Sequence, residues 1–330
     1  MTKTEICDRA FNERSLEAIN DALIAGCGIE MIQRSEVFHS RELTTIADEI
    51  AKRLDTRLIL IAGPSSSSKT TTSKRLAMHL KVIGINPVVI GMDDYFRNRV
   101  DTPKDEKGEY DFECIGALDV EFLNRQLNEL FEGKEVNLPT FDFVKGERSF
   151  NPENKVTLKK NDVIVMEGIH GLNPELTSSI APENKYSIYA GVLNGPIVPG
   201  IEDTAYESVV NADRLLRRMV RDYQFRGNSP IDTFKRWQSV RAGEKKNIEP
   251  FKGNADVLFD SSLIYEIPLF KCYVDPLLRS VPESSPAYVW ARQMLEFIMT
   301  RIVALTPKEV DTIPTTSVIR EFIGGSSFSY

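Results

Sequence analysis

Residues 58–76, LILIAGPSSSSKTTTSKRL, set a lysine and three threonines directly behind a glycine-led run of small residues. That order suits anion chemistry. Gly63 permits a tight turn at the end of an apolar run, and the backbone N–H groups of 65–70 can then point at phosphate oxygens. The positive end of the following helix dipole adds to the field. Lys69 can reach the β and γ phosphates of a nucleoside triphosphate, and the Thr70 hydroxyl can meet Mg2+. Pro64, Ser65, Ser66, Ser67 and Thr71 complete the candidate loop. One position departs from the G-x-x-x-x-G-K-[ST] pattern: Ser68 stands where the second glycine belongs. A Cβ there crowds the phosphates or disfavours a left-handed backbone. The alternative is an adjusted loop in which the serine hydroxyl adds a hydrogen bond.

Phosphoryl transfer to an alcohol also needs a metal, an acceptor held in line and a base near its hydroxyl. The segment VVIGMDDYF places Asp93 and Asp94 after an apolar run, and VIVMEGIHG places Glu167 at the end of another. Ligands of an open α/β sheet bind at strand carboxyl ends, so positions 63, 93 and 167 are expected to converge. The segment DRLLRRMVRDYQFRG carries Arg214, Arg217, Arg218, Arg221 and Arg226. Positions 214, 217 or 218, and 221 share a helix face. That face suits triphosphate charge and a transferring phosphoryl group; the plainer reading is a solvated basic surface.

These residues need a frame, and the chain alternates strand and helix from 57 onward. RLILIAG, NPVVIGM, NDVIVMEG, YSIYAGV and ADVLFD read as strands, the fully apolar ones as buried parallel strands. Helices are expected over 69–83, 117–133, 204–225, 231–245 and through PAYVWARQMLEFIMTRIVAL. Such alternation predicts an α/β fold, a parallel sheet with helices on both faces. Ahead of it, 12–54 reads as two helices parted by Gly26 and Gly28, the second presenting Leu43, Ile46, Ile50 and Leu54 on one face. The polar stretch 97–116 reads as a long functional loop. The organisation expected is a helical N-terminal extension over 1–56 and a phosphate-loop domain over 57–330. Within that domain lie a helical lid at about 213–250 and C-terminal helices at about 262–330.

Bulk properties narrow the partners. A formal net charge of −7 argues against nucleic acid held by global charge. No apolar run is long enough for a membrane span, and MTKTEICDRAFNERSLEAIN is too polar for a signal peptide. The four cysteines form no C-x-x-C pair, as expected of free thiols in a soluble cytoplasmic protein. The three histidines have no zinc-ligand spacing, and no G-x-S-x-G elbow is present.

Taken in order, GPSSSSKTT, MDDYF, YDFECIGALD with LPTFDFVKGER, VMEGIHGL, RLLRRMVRDYQFRG and NADVLFD resemble the uridine kinase and phosphoribulokinase family of P-loop kinases. The likeness spans about 57–260. With the ending IPTTSVIREFIGGSSF it looks like a bacterial uridine kinase-like branch of nucleoside kinases. The resemblance implies ATP as phosphate donor with Mg2+. It implies Asp93 as the base toward a nucleoside 5′-hydroxyl, also able to meet the metal, with Thr70 and Glu167 on the metal side. Glu113 aligns with an acid that holds ribose hydroxyls, and Tyr95 and Phe141 fall on the acceptor side. Arg218 and Arg221 match lid arginines near acceptor and phosphates, and Arg226 matches another. Pyrimidine-specific relatives present a tyrosine and a histidine to the base, where this chain has Phe141 and Gly146. Three readings follow: a kinase of uridine or cytidine; a kinase of a sugar, sugar phosphate, polyol or pantothenate; and a nucleotide-binding regulator impaired at Ser68. Members of the family are often oligomeric, and the apolar faces of the C-terminal helices suit either a homo-oligomer contact or the core.

Overall fold

The computed structural model describes residues 1–104, 106, 108–194 and 209–330, without the side chains of 209–211. Three helices come first: α1 (Lys3–Glu13), α2 (Leu16–Ile24) and α3 (Gly28–Lys52). Side-chain oxygens of Thr2 and Ser15 accept the free N–H groups that start α1 and α2. The extension therefore has one helix more than expected. Leu43, Ile46 and Ile50 are buried as the spacing predicts, but Leu54 lies past the end of α3 and is 91% exposed.

The alternating region follows as β1 (Leu58–Ala62), α4 (Lys69–Val82), β2 (Asn86–Gly91), α5 (Val120–Phe131), β3 (Val136–Asp142), β4 (Glu147–Val156), β5 (Asp162–Glu167) and β6 (Lys185–Gly191). Then come α6 (Val209–Arg226), α7 (Pro230–Asn247), β7 (Val257–Asp260), α8 (Glu266–Arg279), α9 (Tyr288–Arg301), α10 (Pro307–Val310) and α11 (Arg320–Ile323). The first residues expected of α6, 204–208, lie outside the described residues.

Five strands form a parallel sheet in the order β2-β5-β1-β6-β7. The α/β class is as the alternation predicts. Side chains of β1 point to both faces: Leu58 and Leu60 join a core with α5, Ile59 and Ile61 a second core with α3 and α4. Glu167 is in register with Ile61 on one side and Gly91 on the other. The carboxyl ends of β1, β2 and β5 are thus level, and the residues just beyond them share one crevice.

Two features were not expected. Strands β3 and β4 form a separate antiparallel hairpin. A third core contains no sheet residue: it joins α1 and α2 to α6, α7, α8, α9 and the segment 313–323. The apolar faces of α8 and α9 are filled by this core, through Leu269, Phe270, Val274, Ala291 and Ile298.

Candidate active site

The loop from β1 to α4 begins at Gly63, where a Cβ would sit 1.9 Å from the Ala190 carbonyl oxygen, so only glycine fits. Ser66 and Ser68 both take left-handed backbone angles, φ 59° and 65°. Each costs a residue with a Cβ about 1 kcal/mol. The strain is held by Arg217 of α6, whose guanidinium is fully buried. It donates to the Ser66 carbonyl, to Ser68 Oγ and to Ser261 Oγ, each at 3.2 Å, and to the Ser261 carbonyl at 2.7 Å. The equally buried Glu266 accepts from its Nη2 at 2.8 Å and from its Nε. The Ser68 hydroxyl therefore does add a hydrogen bond, and its donor is this bracing arginine.

Arg214 works in the same way: its Nε donates to the Ser65 carbonyl at 2.9 Å, and it pairs with buried Glu244 of α7. Glu244 also accepts the Ser65 N–H at 3.1 Å. The expected arginine face thus divides. Arg214 and Arg217 turn inward as struts, while Arg218, Arg221 and Arg226 line a cleft of about 340 Å3 over the loop. Arg218 donates to Ser65 Oγ at 2.8 Å.

Ser65 through Thr70, Asp93, Glu113 and Glu167 line the same cleft. Thr70 Oγ1 donates to Glu167 Oε1 at 2.8 Å, and Lys69 Nζ donates to the Pro64 carbonyl at 3.1 Å. Gly168 helps close this arrangement, because a Cβ there would meet Met92 Sδ at 2.6 Å. Its absence lets the turn bearing Asp93 lie beside Glu167. Burial pushes the Glu167 carboxyl up to about 7; Lys69 opposes the shift and Asp93 adds to it. Burial likewise raises Asp93, against Lys69 and with help from Asp94 and Glu113. Glu113 is raised by burial and by Glu244, against Arg218 and Lys69.

These groups fit Mg2+. A buried acid paired with a threonine hydroxyl suits a cation that keeps most of its waters and takes the remaining oxygens from phosphates. Among the described residues, no group of three His, Cys, Asp or Glu side chains is gathered that could hold a metal unaided.

Some expected site residues lie elsewhere. Tyr95 is fully buried and its hydroxyl donates to Gln126 at 2.9 Å, because its short helix turns it into the core. Phe141 is not among the cleft-lining residues; its ring is tilted against Phe96 and edge-on to Phe143, with centroids 5.6 and 5.1 Å apart. Asp94 fixes the hairpin, accepting the Phe141 N–H at 3.1 Å. The Thr71 side chain is buried, and its hydroxyl meets Glu321 and Tyr330. Pro64 faces a neighbouring pocket with Tyr189 and Arg214. Residues not singled out in the sequence also line the cleft: Phe96, Phe112, Phe143, Glu244 and Glu321. Phe112 adjoins Glu113, a usable signal; nothing local marks Glu321.

The sequence profile of the Phosphoribulokinase / Uridine kinase family matches residues 58–189. A uridine kinase of Macrococcus caseolyticus is 31% identical over 205 residues, covering 62% of this chain and 87% of the relative. One from Staphylococcus aureus is 30% identical, covering 62% and 86%. A solved structure of a possible uridine kinase from Bacillus stearothermophilus superposes with a TM-score of 0.39 at 23% identity, covering 64% of this chain and all of that one. Because nearly the whole length of the curated relatives is matched, the chain belongs to the phosphoribulokinase / uridine kinase family of kinases.

Proposed function

We propose that this protein transfers the γ-phosphoryl group of ATP to the 5′-hydroxyl of a nucleoside, with uridine and cytidine as the first candidates. One observation carries the reading: the loop, the Thr70–Glu167 pair, Asp93 and three cleft-facing arginines surround a single cavity. The backbone amides of Ser66 and of 68–70, with the Lys69 side chain, bind the triphosphate, while the Ser65 and Ser67 amides are held by Glu244 and the Pro64 carbonyl. Thr70 and Glu167 would hold Mg2+, which when bound neutralises charge on the β and γ phosphate oxygens. Asp93 takes the proton from the attacking hydroxyl. Glu113 accepts hydrogen bonds from the ribose, and Arg218, Arg221 and Arg226 stabilise charge on the phosphoryl group in transit. Phe96, Phe112 and Phe143 offer apolar faces to a flat base. All four cysteines are free, which suits a reducing cytoplasm, and no described helix is long and apolar enough to cross a membrane.

A second reading keeps the chemistry and changes the acceptor to a sugar, sugar phosphate, polyol or pantothenate. It rests on the missing base-reading pair, since Phe141 is withdrawn and Gly146 has no side chain. A coupled ADP-release assay with MgATP across nucleosides and these other alcohols decides between the two. Turnover on uridine or cytidine supports the first; turnover on another alcohol with none on any nucleoside eliminates it.

A further inference from the structure

One carboxylate of the cleft comes from far outside the stretch the family profile matches. Glu321, in the short helix α11, is nearly buried. Its Oε2 accepts from Thr71 Oγ1 at 2.7 Å, and its Oε1 lies 3.9 Å from Arg221 Nη1. Thr71 follows Thr70 in the first turn of α4, so Glu321 touches both the helix that opens at the phosphate loop and an arginine of the opposite wall.

The charges around Arg221 explain what a carboxylate can do in an anion site. Asp222 is approached by Arg218 at 3.3 Å, by Arg221 at 3.1 Å and by Arg226 at 3.6 Å. Three guanidinium groups share that one acid and repel one another. Glu321 gives Arg221 a second anchor, and the Phe322 ring lies 5.9 Å from the same guanidinium. A guanidinium held on two sides has less rotamer freedom to lose when it meets phosphate.

The segment is not a removable plug. Val318, Ile319 and Phe322 are fully buried in the helical core. Ser317 Oγ donates to buried Glu36 Oε1 at 2.5 Å, and Tyr265 donates to the same oxygen at 2.8 Å. Lifting α11 with the residues leading into it would open this core and take Ser317 away from Glu36.

We infer that Glu321 is a positioning residue for phosphoryl transfer: it aims Arg221 into the cleft and ties it to the first turn of α4 through Thr71. The inference rests on the kinase reading above. Glu321→Gln tests it, because the amide oxygen still accepts from Thr71 while the charge facing Arg221 is gone. In E321Q kcat falls about ten-fold, with a smaller rise in the KM for MgATP and an unchanged melting temperature. In an Arg221→Ala background the same substitution has no further effect on kcat. Equal kcat and KM in E321Q, or a loss that simply adds to that of Arg221→Ala, overturns the role. Should E321Q fail to fold, the same cycle is run with Glu321→Asp and judged by the same non-additivity. Calorimetry of MgATP binding to the unaltered protein separates the two levels. Binding with turnover but no Glu321 effect sinks this inference alone, whereas no binding sinks the phosphate site and this role with it.

Discussion

Ser68 offers the sharpest test of how the phosphate loop is held. Two effects oppose each other at this residue. Its left-handed backbone, φ 65° and ψ 28°, costs about 1 kcal/mol relative to glycine. Its hydroxyl accepts from the buried Arg217 at 3.2 Å, and a hydrogen bond to a charged group contributes about 1.5 kcal/mol. Ser68→Gly relieves the first and loses the second, for a net loss of about 0.5 kcal/mol. Ser68→Ala keeps the strain and still loses the bond, for about 1.5 kcal/mol. The order of stability is therefore Ser, then Gly, then Ala. Arg217 retains Ser66, Ser261 and Glu266 in both variants, so the loop keeps its shape. Urea unfolding measures the order, and thermal melts should separate Gly from Ala by about 2 °C. In the glycine variant kcat and the KM for ATP stay within about three-fold of the unaltered protein, the change a perturbation below 1 kcal/mol allows. An alanine variant as stable as serine would show the hydroxyl idle and refute the bracing argument. Activity found only in the glycine variant would favour the regulator reading.

Asp93→Asn is expected to lower kcat by about 10^2 to 10^4 while MgATP binding persists, because a base acts on the acceptor; calorimetry beside the turnover assay checks both, and equal turnover removes Asp93 from that role. Lys69→Ala should weaken ATP binding and rate together, as read from KM and kcat, and unchanged values contradict its phosphate contact. Glu266→Ala leaves Arg217 as an unpaired buried charge and should cost about 3–5 kcal/mol in urea unfolding; a loss under 1 kcal/mol would mean the pair braces nothing. Buried histidines and buried acids should oppose each other in mild acid. Burial lowers His39 to about 3 and His170 to about 4, below the unfolded value near 6.5, so each takes stability away as pH drops below about 6.5. Burial raises Glu42 and Glu167 to about 7, so each adds stability as pH drops from about 7 toward 4.5. Removing one side exposes the other: His39→Gln should make stability at pH 5, relative to pH 7.5, higher than in the unaltered protein, and urea midpoints at the two pH values that shift equally contradict this.

The sequence made the catalytic end of the sheet legible because its strands are short apolar runs bounded by glycines and acids. LILIA and DVIVME are short, β-branched apolar runs with turn residues after them, too short for a typical helix, and their ends carry the loop and Glu167. The hairpin was not legible. Pro139 interrupts β3, and β4 is the polar, mostly exposed ERSFNPENKV, which has neither apolar alternation nor a run. Spacing placed positions 214, 217 or 218, and 221 on one helix face but could not tell that Arg217 points at Glu266, since that pairing joins residues 49 positions apart. Only the family resemblance puts Tyr95 and Phe141 on the acceptor side, yet the Tyr95 ring packs against Phe122 in the core and the Phe141 ring against Phe96 and Phe143. Glu321 had no local signal at all: its role depends on a 250-residue closure onto Thr71.

The core shared by α1–α3 and the segments beyond 263 joins residues synthesised far apart in time. Ile19, Met31 and Ile32, near the start, find their partners in Leu269, Ile319 and Phe322. At ribosomal speeds of about 5–20 residues per second, that greasy face leaves the exit tunnel roughly 15–60 seconds before its cover is made. During that interval the apolar side chains of 19–32 lack their native cover, and a chain stopped short of 263 would expose them instead of forming a smaller working kinase.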